Sequence, residues 1–497
     1  MFEWGDPSVY TTPARGLVTE SREVPFSQAI VPVAFLILTI AYGLVARPLF
    51  LGQPAFPLEL VFVFVAAFAV AYLSWLGHSW LDIQASVVSR LSEAMPAFFI
   101  LFAIGLLIAS WMVSGTIPML VYYGIAVISP AFLYPLAFLV PVVFSMLTGT
   151  SWGSAGTIGV VIMGIGLAAG ADPAILAGAI IGGAYFGDKL SPLSDTTNLA
   201  ALGAGVELFD HIRSMLWTTI PSAIIALTLY TIVGMIDPPG AASDTADASA
   251  FTDALRDMFA FSPFLLLPPA VVLWGSLKKY PAIPVLLSSI LLAMVLGLFI
   301  QRFSLADTLI ALQVGFSADM ATWAGDIPAG VRTLVDRGGL YSMREAIFVA
   351  FLVFFFIGTI DRISAIPTVV DRVFRFARTR SAVILSALGA TAVTNAMTSN
   401  QYATSFIVGD AFRRRFDDLA IPRRVLSRSL EDTGTMLESI VPWHSTALFM
   451  VATLGVPVAD YWHWQFLSLT NFVVAAILAI TGIGCFYNES ASGAEHD

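Results

Sequence analysis

AILAGAIIGGAYFGDKLSPLSDTTNLA, residues 174–200, places an acid, a base and several hydroxyls directly after a long apolar run. A related pattern occurs at 427–443, SRSLEDTGTMLESIVPW, where Asp432 and Thr433 follow a similar order. Ionisable residues are costly inside a membrane, so their presence beside membrane-type sequence points to a functional site. The fold has to explain why this pattern is present and why it occurs twice.

Composition identifies an integral membrane protein. Hydrophobic residues make up 58% of the 497 residues and charged residues only 12%, whereas soluble domains carry about 25% charged residues. The apolar runs are too long and continuous for barrel strands, so the chain is predicted to be an all-α polytopic membrane protein. The formal net charge of −10 argues against a nucleic-acid partner. The single cysteine, Cys485, excludes an intrachain disulfide and a cysteine metal cluster.

Seven stretches are long enough to cross a bilayer, which takes about 20 apolar residues. They lie near 27–46, 56–76, 96–114, 215–236, 281–301, 343–361 and 461–484. A polar, acidic segment that contains Pro and Gly predicts a connecting loop between two membrane halves. The expected order is a polar N-terminal segment, the first membrane half, the loop, the second membrane half and a polar tail, at 1–25, 26–236, 237–257, 258–485 and 486–497.

Other apolar runs are interrupted by Gly, Pro and polar residues, and several are predicted to be too short to cross the bilayer alone. They lie at 131–147, 157–170, 173–186, 381–397, 401–412 and 435–454. Irregular backbone at membrane depth persists only where it is buried in protein or lines a wet cavity. Interrupted segments at matching positions in two halves are a sequence feature of transporter binding sites.

The two halves resemble each other in order and spacing. FSMLTGTSWGSAGTIGV matches TNAMTSNQYATSFIVG at an offset of about 250 residues, which places Thr148 on Thr398. PLSDTTN matches SLEDTGT slightly short of that offset, which places Asp195 on Asp432. A shared order with a near-constant offset indicates an internal repeat.

The distribution of charge predicts that the repeats are inverted. No Lys or Arg occurs between Arg90 and Lys189, whereas FRFARTR and RRR flank the second pair of short runs. Because cytoplasmic loops carry an excess of Lys and Arg, a hairpin near 131–170 is expected to enter from outside and one near 381–412 from the cytoplasm. The predicted fold therefore has two inverted repeats with opposed re-entrant hairpins and broken helices, divided into scaffold and transport regions. The hairpin tips, TGTS and TSNQ, would meet near the midplane.

The tips and the segments after them supply oxygen ligands, which hard alkali cations prefer. One carboxylate can hold either a proton or Na⁺, and this competition is sufficient for exchange of the two ions. Broken helices also expose backbone carbonyls and N-termini that favour anions. The oxygen donors that we single out on these grounds are Thr148, Thr150, Ser151, Asp195, Ser399, Asn400 and Asp432.

Several of these groups also have a structural interpretation. Asp195 and Asp432 each precede a threonine, which is an ordinary N-cap pattern, although its repetition after broken helices favours a site. Asp188 and Lys189 form either a proton-linked pair or an ion pair at a helix end, and the structural alternative is favoured.

Glu431 and Glu438 are seven residues apart and can share a helical face, and Glu438 is a further candidate for proton coupling. His444 next to a tryptophan is expected to be packed rather than a ligand. Asp361 and Arg362 either lie near the end of a span or form a buried gating pair. No Ser-His-Asp or Cys-His arrangement is present in the sequence, so an enzyme is not expected.

Four long motifs resemble the NhaC-type Na⁺/H⁺ antiporter family, and the similarity extends from about residue 70 to the C-terminus. They are TGTSWGSAGTIGVVIMGIG, GAIIGGAYFGDKLSPLSDTTNLA, SNQYATSFIVGDAF and LSRSLEDTGTMLESIVPWHSTALFM. The resemblance implies secondary transport driven by ion gradients, on a fold with inverted repeats and two opposed hairpins, and it allows a homodimer. The residues that it carries over are Gly149, Thr150, Ser151, Asp188, Asp195, Thr196, Thr197, Asn198, Ser399, Asn400, Asp432 and Thr433. The chain departs from the family pattern at PWHST, so no role is carried over to His444.

Two functions remain open. The first is a Na⁺/H⁺ antiporter of the inner (plasma) membrane. Its expected ion or substrate ligands are Thr148, Thr150, Ser151, Asp195, Thr196, Thr197, Asn198, Thr398, Ser399, Asn400, Asp432 and Thr433. Na⁺ would be held by Asp195, Thr150, Ser151, Asn400 and Asp432, and protons would compete at Asp195, Asp432, Glu431, Glu438 and Asp188. The second is a Na⁺- or H⁺-coupled exchanger of organic anions, of the malate and lactate type, or of amino acids. The expected partners are membrane lipid, Na⁺ and H⁺, with a small organic anion in the second case, and no cofactor is expected.

Overall fold

The computed structural model describes residues 24–239, 245–374 and 376–487, and these ranges contain helices and no strands. Nine helices of this part are long and apolar enough to cross a membrane, or up to eleven spans if each of two bent helix pairs is counted as one. The prediction of an all-α polytopic membrane protein is therefore confirmed. The expected N-terminal segment and most of the polar tail lie outside the described residues.

The helices of residues 24–239 are α1 (Phe26–Ile40), α2 (Arg47–Leu51), α3 (Leu58–Trp75), α4 (Trp80–Val113), α5 (Thr116–Val127), α6 (Leu133–Thr148), α7 (Ser151–Ser154), α8 (Val160–Ala168), α9 (Pro173–Leu190), α10 (Asp195–Ala204) and α11 (Leu208–Ile236). Those of residues 245–374 are α12 (Thr245–Met258), α13 (Leu267–Leu277), α14 (Ala282–Ile300), α15 (Leu305–Val314), α16 (Ala329–Val335), α17 (Arg344–Asp361) and α18 (Ala365–Val373). Those of residues 376–487 are α19 (Arg380–Thr398), α20 (Gln401–Asp418), α21 (Arg423–Thr433), α22 (Ser445–Leu454), α23 (Val458–Tyr461) and α24 (Phe466–Thr481).

The helix bounds correct three expectations from the sequence. Pro130–Thr148 has 19 residues, Ser151–Ala168 has 18 and Arg380–Thr398 has 19, so these three interrupted runs are long enough to cross a membrane, whereas Ser445–Leu454 is a shorter apolar helix. The last predicted span is bent by 54° between Val458–Trp464 and Phe466–Thr481. The segment predicted to be a connecting loop contains most of α12. The alanines and charged residues of this segment favour a helix, although its Pro and Gly residues had predicted a loop.

The chain divides into two compact units, of which the first extends to Ala94 and includes Phe351–Val373. Within it, α1 packs against α3 and α18. The chains of α4 and α17 approach closely at Gly358, where a Cβ would lie 2.7 Å from the Cα of Val87. The Ser86 hydroxyl donates to the Gly358 carbonyl at 2.6 Å. The absence of a side chain at position 358 thus allows the close approach.

Charged residues near the end of α17 have partners within the same unit. Asp361 is the last residue of α17, and its carboxylate lies 3.6 Å from Nε of Arg90. Arg362 lies 3.9 Å from a carboxylate oxygen of Asp82. Asp361 and Arg362 therefore pair with different residues and not with each other.

The second unit comprises Met95–Ala350 and the described chain from Phe374 onward. Its central helix is α9, which is buried over almost its whole length. Small residues allow α6 to pack directly on α9, since a Cβ at Gly183 or Gly187 would lie within 2.5 Å of a carbonyl oxygen of α6. In the same unit α10 packs against α20 and α21, and α11 packs against α24. The polar segments singled out from the sequence all belong to this unit.

Candidate ion-binding site

The first break separates α6 from α7 and consists of Gly149 and Thr150. Gly149 has a left-handed backbone with φ of +68°, and a Cβ there would lie 2.6 Å from Cβ of Leu193. Thr150 caps α7 by accepting the N–H of Gly153 at 3.3 Å. Ser151 begins α7, and its backbone N–H donates to the Asp188 carboxylate at 3.1 Å. The break therefore presents a helix N-terminus to a buried carboxylate on α9.

The second break separates α19 from α20 and consists of Ser399 and Asn400. Ser399 has a left-handed backbone with φ of +49°. The Asn400 side chain caps α20 by accepting two backbone N–H groups of its first turn, at 2.9 and 3.1 Å. The Ser399 hydroxyl accepts the backbone N–H of Ser445 at 2.8 Å. Both breaks thus have a left-handed residue followed by a capping residue.

The first turn of α22 contacts both breaks. Its first residue, Ser445, bonds to Ser399 of the second break. Its second residue, Thr446, accepts the indole N–H of Trp152 at 3.3 Å, and Trp152 is the second residue of α7, which follows the first break. The Trp152 ring also stacks on Phe449 with a centroid distance of 4.4 Å. The two hairpin tips predicted from the sequence are therefore brought to one turn of a third helix.

Four carboxylates lie in this region. Asp188, Glu431 and Glu438 are buried, whereas Asp195 is exposed at the first position of α10. The Thr446 hydroxyl donates to Glu438 at 2.8 Å. These carboxylates are close enough to repel one another when ionised. The interacting pairs are Asp195 with Asp188, Asp188 with Glu438, and Glu438 with Glu431. No group of three His, Cys, Asp or Glu residues in the described ranges could hold a metal ion, so a cation here would need hydroxyl, amide or carbonyl oxygens as additional ligands.

Asp432 lies in a separate buried cluster. Its carboxylate accepts from the Lys189 ammonium, from the Thr218 hydroxyl at 2.8 Å and from the Asn471 amide at 3.1 Å. Nε of Arg428 lies 3.8 Å from the other carboxylate oxygen. Two cationic side chains and two hydrogen-bond donors therefore compensate this one carboxylate. In the part of the chain that the structure describes, no hydrogen bond or ion pair joins Asp432 to either break.

Asp188 and Lys189 are adjacent in sequence but have different partners. Asp188 bonds to the first break, and Lys189 pairs with Asp432 and lies 3.4 Å from Oδ1 of Asn471. The interpretation of Asp188 and Lys189 as an ion pair with each other is therefore wrong. Successive positions on a helix point about 100° apart, which directs the two side chains to different neighbours.

The residues predicted at 195–198 occupy the first turn of α10. Its N-cap is Ser194, which accepts the N–H of Thr197, so Asp195 is not the cap. The Ser194 hydroxyl lies 3.1 Å from that of Thr196. The Thr197 hydroxyl donates to the carbonyls of Lys189 and Asp188 at 3.1 and 3.3 Å. The Asn198 amide donates to the carbonyl of Ser194 at 2.6 Å.

The remaining predicted hydroxyls bond largely to the backbone. Thr148 donates to the carbonyl of Phe144 at 3.0 Å, and Thr398 to that of Asn400 at 3.1 Å. Thr433 donates to the carbonyl of Leu388 at 2.7 Å. A hydroxyl that donates a hydrogen bond can also accept one, and the Thr398 oxygen accepts the backbone N–H of Asn400 at 3.3 Å.

The helix bounds correct the match of Asp195 with Asp432. Asp195 is the first residue of α10, whereas Asp432 is the penultimate residue of α21. The offset of about 250 residues instead relates Ser194 to His444, and each of them is an N-cap whose side chain accepts a backbone N–H. The same offset relates Asp188 to Glu438. The polar strings at 195 and 432 are similar in composition, but the two aspartates occupy different positions in their helices.

Sequence reasoning missed the roles of Thr218 and Asn471. Both side chains bond to the Asp432 carboxylate, from α11 and α24 respectively. Their signal in the sequence is weak, because single polar residues are common in apolar helices. His444, by contrast, is buried as expected, and its Nδ1 accepts the N–H of Thr446 at 3.1 Å while its Nε2 lies 3.3 Å from Oδ1 of Asn395.

Comparison with known proteins connects this architecture to a transporter family. The model of the Na⁺/H⁺ antiporter family matches residues 183–483. A protein of Haemophilus influenzae named as an uncharacterised Na⁺/H⁺ antiporter is 35% identical over 457 residues, which cover 92% of this chain and 96% of that protein. The Na⁺/H⁺ antiporter NhaC of Alkalihalophilus pseudofirmus is 35% identical over 460 residues, which cover 92% and 97% of the two chains. A malate-2H⁺/Na⁺-lactate antiporter of Bacillus subtilis is 31% identical over 437 residues, covering 87% and 91%.

Proposed function

The chain belongs to the Na⁺/H⁺ antiporter family, and we propose that it exchanges Na⁺ for H⁺ by alternating access, with carboxylates that hold each ion in turn. It is a multi-pass protein of the plasma membrane and a transporter rather than an enzyme. The two hairpins are re-entrant and enter from opposite faces in this proposal. Charge flanking the second hairpin supports that orientation.

One observation carries the proposal: two helix breaks built in the same way each lie beside a buried carboxylate. Asp188 accepts the first N–H after the first break. Glu438 bonds to Thr446, in the turn that also contacts Ser399 of the second break. Ionisable groups inside a membrane protein mark ion pathways and proton relays. A carboxylate at a broken helix has hydroxyl and backbone oxygens within reach, which are the ligands of a hard cation.

We place the Na⁺ site at the first break, with Asp188 as the carboxylate and Thr150 and Ser151 as neighbouring oxygens. Asp195 lies exposed at the first position of α10. Asn400 and Ser399 complete the second break. Asp432 takes a different part, because its carboxylate balances the charges of Lys189 and Arg428.

Exchange of Na⁺ for protons is tested in proteoliposomes with an acid interior, where a lumenal pH dye follows proton efflux after external Na⁺ is added. Proton efflux on Na⁺ alone is expected for the wild type, with strong loss in Asp188→Asn and Glu438→Gln. Glu345→Gln is the matched control, because its side chain is 80% exposed and lies outside the site. Equal efflux in Asp188→Asn and the control would remove Asp188 from the ion path.

Coupled exchange of an organic anion is a second candidate, since one relative is named for malate and lactate. A carboxylate substrate would need a cationic partner, and both Lys189 and Arg428 are already directed at Asp432. This arrangement favours inorganic cations. The same liposomes tested with malate, lactate or amino acids distinguish the two: efflux only after an organic substrate is added would overturn Na⁺/H⁺ exchange.

A further inference from the structure

Glu431 is a fully buried carboxylate on α21, one residue before Asp432. Neither of its carboxylate oxygens has a hydrogen-bond partner among the described residues. The neighbouring Asp432 differs, since two cations and two further donors contact it. An ionised carboxylate is too costly to bury without a compensating charge or hydrogen bonds. A proton or a cation on Glu431 would supply the partner that its two oxygens lack in this arrangement.

Two more buried oxygens without a hydrogen-bond partner among the described residues lie at the turn that follows Glu431, on Thr435 and Gln401. Thr435 follows one helical turn later, and its hydroxyl interacts with the Glu431 carboxylate but makes no hydrogen bond of standard geometry. Gln401 donates its amide N–H to the carbonyl of Leu430 at 2.9 Å, which leaves its Oε1 without a partner. A Cβ on Gly434 would lie 2.3 Å from that Oε1, so the amide packs directly on the turn after Glu431.

We propose that Glu431, Thr435 and Gln401 form an inner Na⁺ site, separate from the first break, whose carboxylate takes up a proton when Na⁺ leaves. The inference rests on the proposed Na⁺/H⁺ exchange and adds a second ion-carrying group to it. The two carboxylate oxygens, the hydroxyl and the amide oxygen are hard ligands of the kind that alkali and other hard cations take. All three side chains are at least nine-tenths buried, so they bind an ion that has shed most of its water.

The surrounding charges suit exchange at this position. Lys189 and Arg428 contribute two positive charges, and Asp432 contributes one negative charge. An ionised Glu431 makes this group neutral, and either a proton or Na⁺ on Glu431 adds one positive charge. The two loaded states therefore have the same net charge, so replacing one ion by the other does not change the total charge that is buried.

The inner site also faces other titratable groups. Lys189 and Asp188 on α9, Asp432 on α21 and Glu438 after α21 all interact electrostatically with Glu431. Glu438 also bonds to the turn that contacts both breaks. A change in the charge of Asp188 at the first break therefore changes the electrostatic potential at Glu431. Coupling of two ion sites requires such an interaction.

The test is to count protons released by the purified full-length protein when NaCl is added in weakly buffered detergent solution, with choline chloride as the ionic control. Because a carboxylate must lose its proton to bind a cation, Glu431→Gln is expected to release about one proton fewer per protein than the wild type. Glu345→Gln is expected to match the wild type. Equal release by Glu431→Gln and the wild type would overturn the inner site.

A second variant keeps the carboxylate and removes one ligand. Thr435→Val preserves the side-chain shape, and the loss of its oxygen is expected to raise the Na⁺ concentration for half-maximal proton release about threefold to tenfold. An unchanged Na⁺ dependence in a Thr435→Val protein that elutes as the wild type would contradict the site even if Glu431→Gln did not fold. Absence of Na⁺-dependent release from the wild type would instead refute the proposed exchange as a whole.

Discussion

Lys189 and Asp432 form a buried ion pair between α9 and α21, the helices that follow α8 and α20 in the chain. Thr218 of α11 and Asn471 of α24 bond to the same carboxylate. One carboxylate therefore joins four helices of the second unit. Both charged side chains are shielded from solvent. The pair links positions that are 243 residues apart in the sequence.

Removing one member of this pair is expected to destabilise the protein. Lys189→Met leaves Asp432 buried with one cation fewer, and loss of one partner of a buried ion pair costs about 3–5 kcal/mol. The double variant Lys189→Met/Asp432→Asn is expected to recover only part of that loss, because Asp432 no longer carries a charge but the buried Arg428 loses its ion partner. Thermal unfolding in detergent measures both effects.

The matched control is Arg332→Met, which breaks the exposed ion pair with Asp319. Surface pairs contribute about 0–1 kcal/mol, so its melting temperature should lie close to that of the wild type. A Lys189→Met protein that melts with this control would contradict a structural role for the buried pair.

Thr446 is expected to fix the positions of the two breaks relative to each other. Its hydroxyl donates to Glu438 and accepts from the indole of Trp152, so Thr446→Val removes both bonds while keeping the shape. Since each bond to a buried group contributes about 0.5–1.5 kcal/mol, Na⁺-dependent proton efflux should fall about tenfold. Thr228→Val serves as control, because the exposed Thr228 donates only to its own helix. Comparable efflux in the two variants would show that the link is not required.

Gly149 is expected to tolerate no side chain. Gly149→Ala has to accommodate both a left-handed backbone and a Cβ 2.6 Å from Leu193. Gly52→Ala isolates the first effect, because Gly52 has φ of +59° and nothing lies within 4 Å of its added Cβ. The backbone alone costs about 1–2 kcal/mol, and crowding adds about 1–3 kcal/mol. Gly149→Ala should therefore melt below Gly52→Ala and lose transport, whereas equal melting temperatures would exclude crowding at the break.

Competition between Na⁺ and protons predicts the sign of the pH dependence. At low pH protons occupy the carboxylates, so the apparent KM for Na⁺ should rise as the pH on the Na⁺-loading side falls, by up to about tenfold per pH unit for one competing proton. Initial rates of efflux at a series of Na⁺ concentrations and pH values measure this slope. An apparent KM that is independent of pH would rule out shared carboxylates.

The breaks could be predicted from the sequence because their causes are local. A residue that tolerates a left-handed backbone, followed by Thr150 or Asn400 as a cap, ends one helix and begins the next within a few residues. The match of Asp195 with Asp432 was wrong because short polar strings of similar composition can occur at unrelated positions. Where a residue lies within its helix depends on where that helix begins and ends, which the short string does not determine.

Hydrophobic length and composition by themselves determined that this chain is a helical membrane protein, since about 20 apolar residues suffice to cross a bilayer whatever their neighbours are. Local capping likewise determined where the helices break. Only the tertiary structure decided that Lys189 pairs with Asp432, that Asp188 faces Ser151, and that neither carboxylate oxygen of Glu431 has a hydrogen bond among the described residues. These contacts depend on which helix faces pack together, and many weak long-range interactions set that packing rather than any short stretch of sequence.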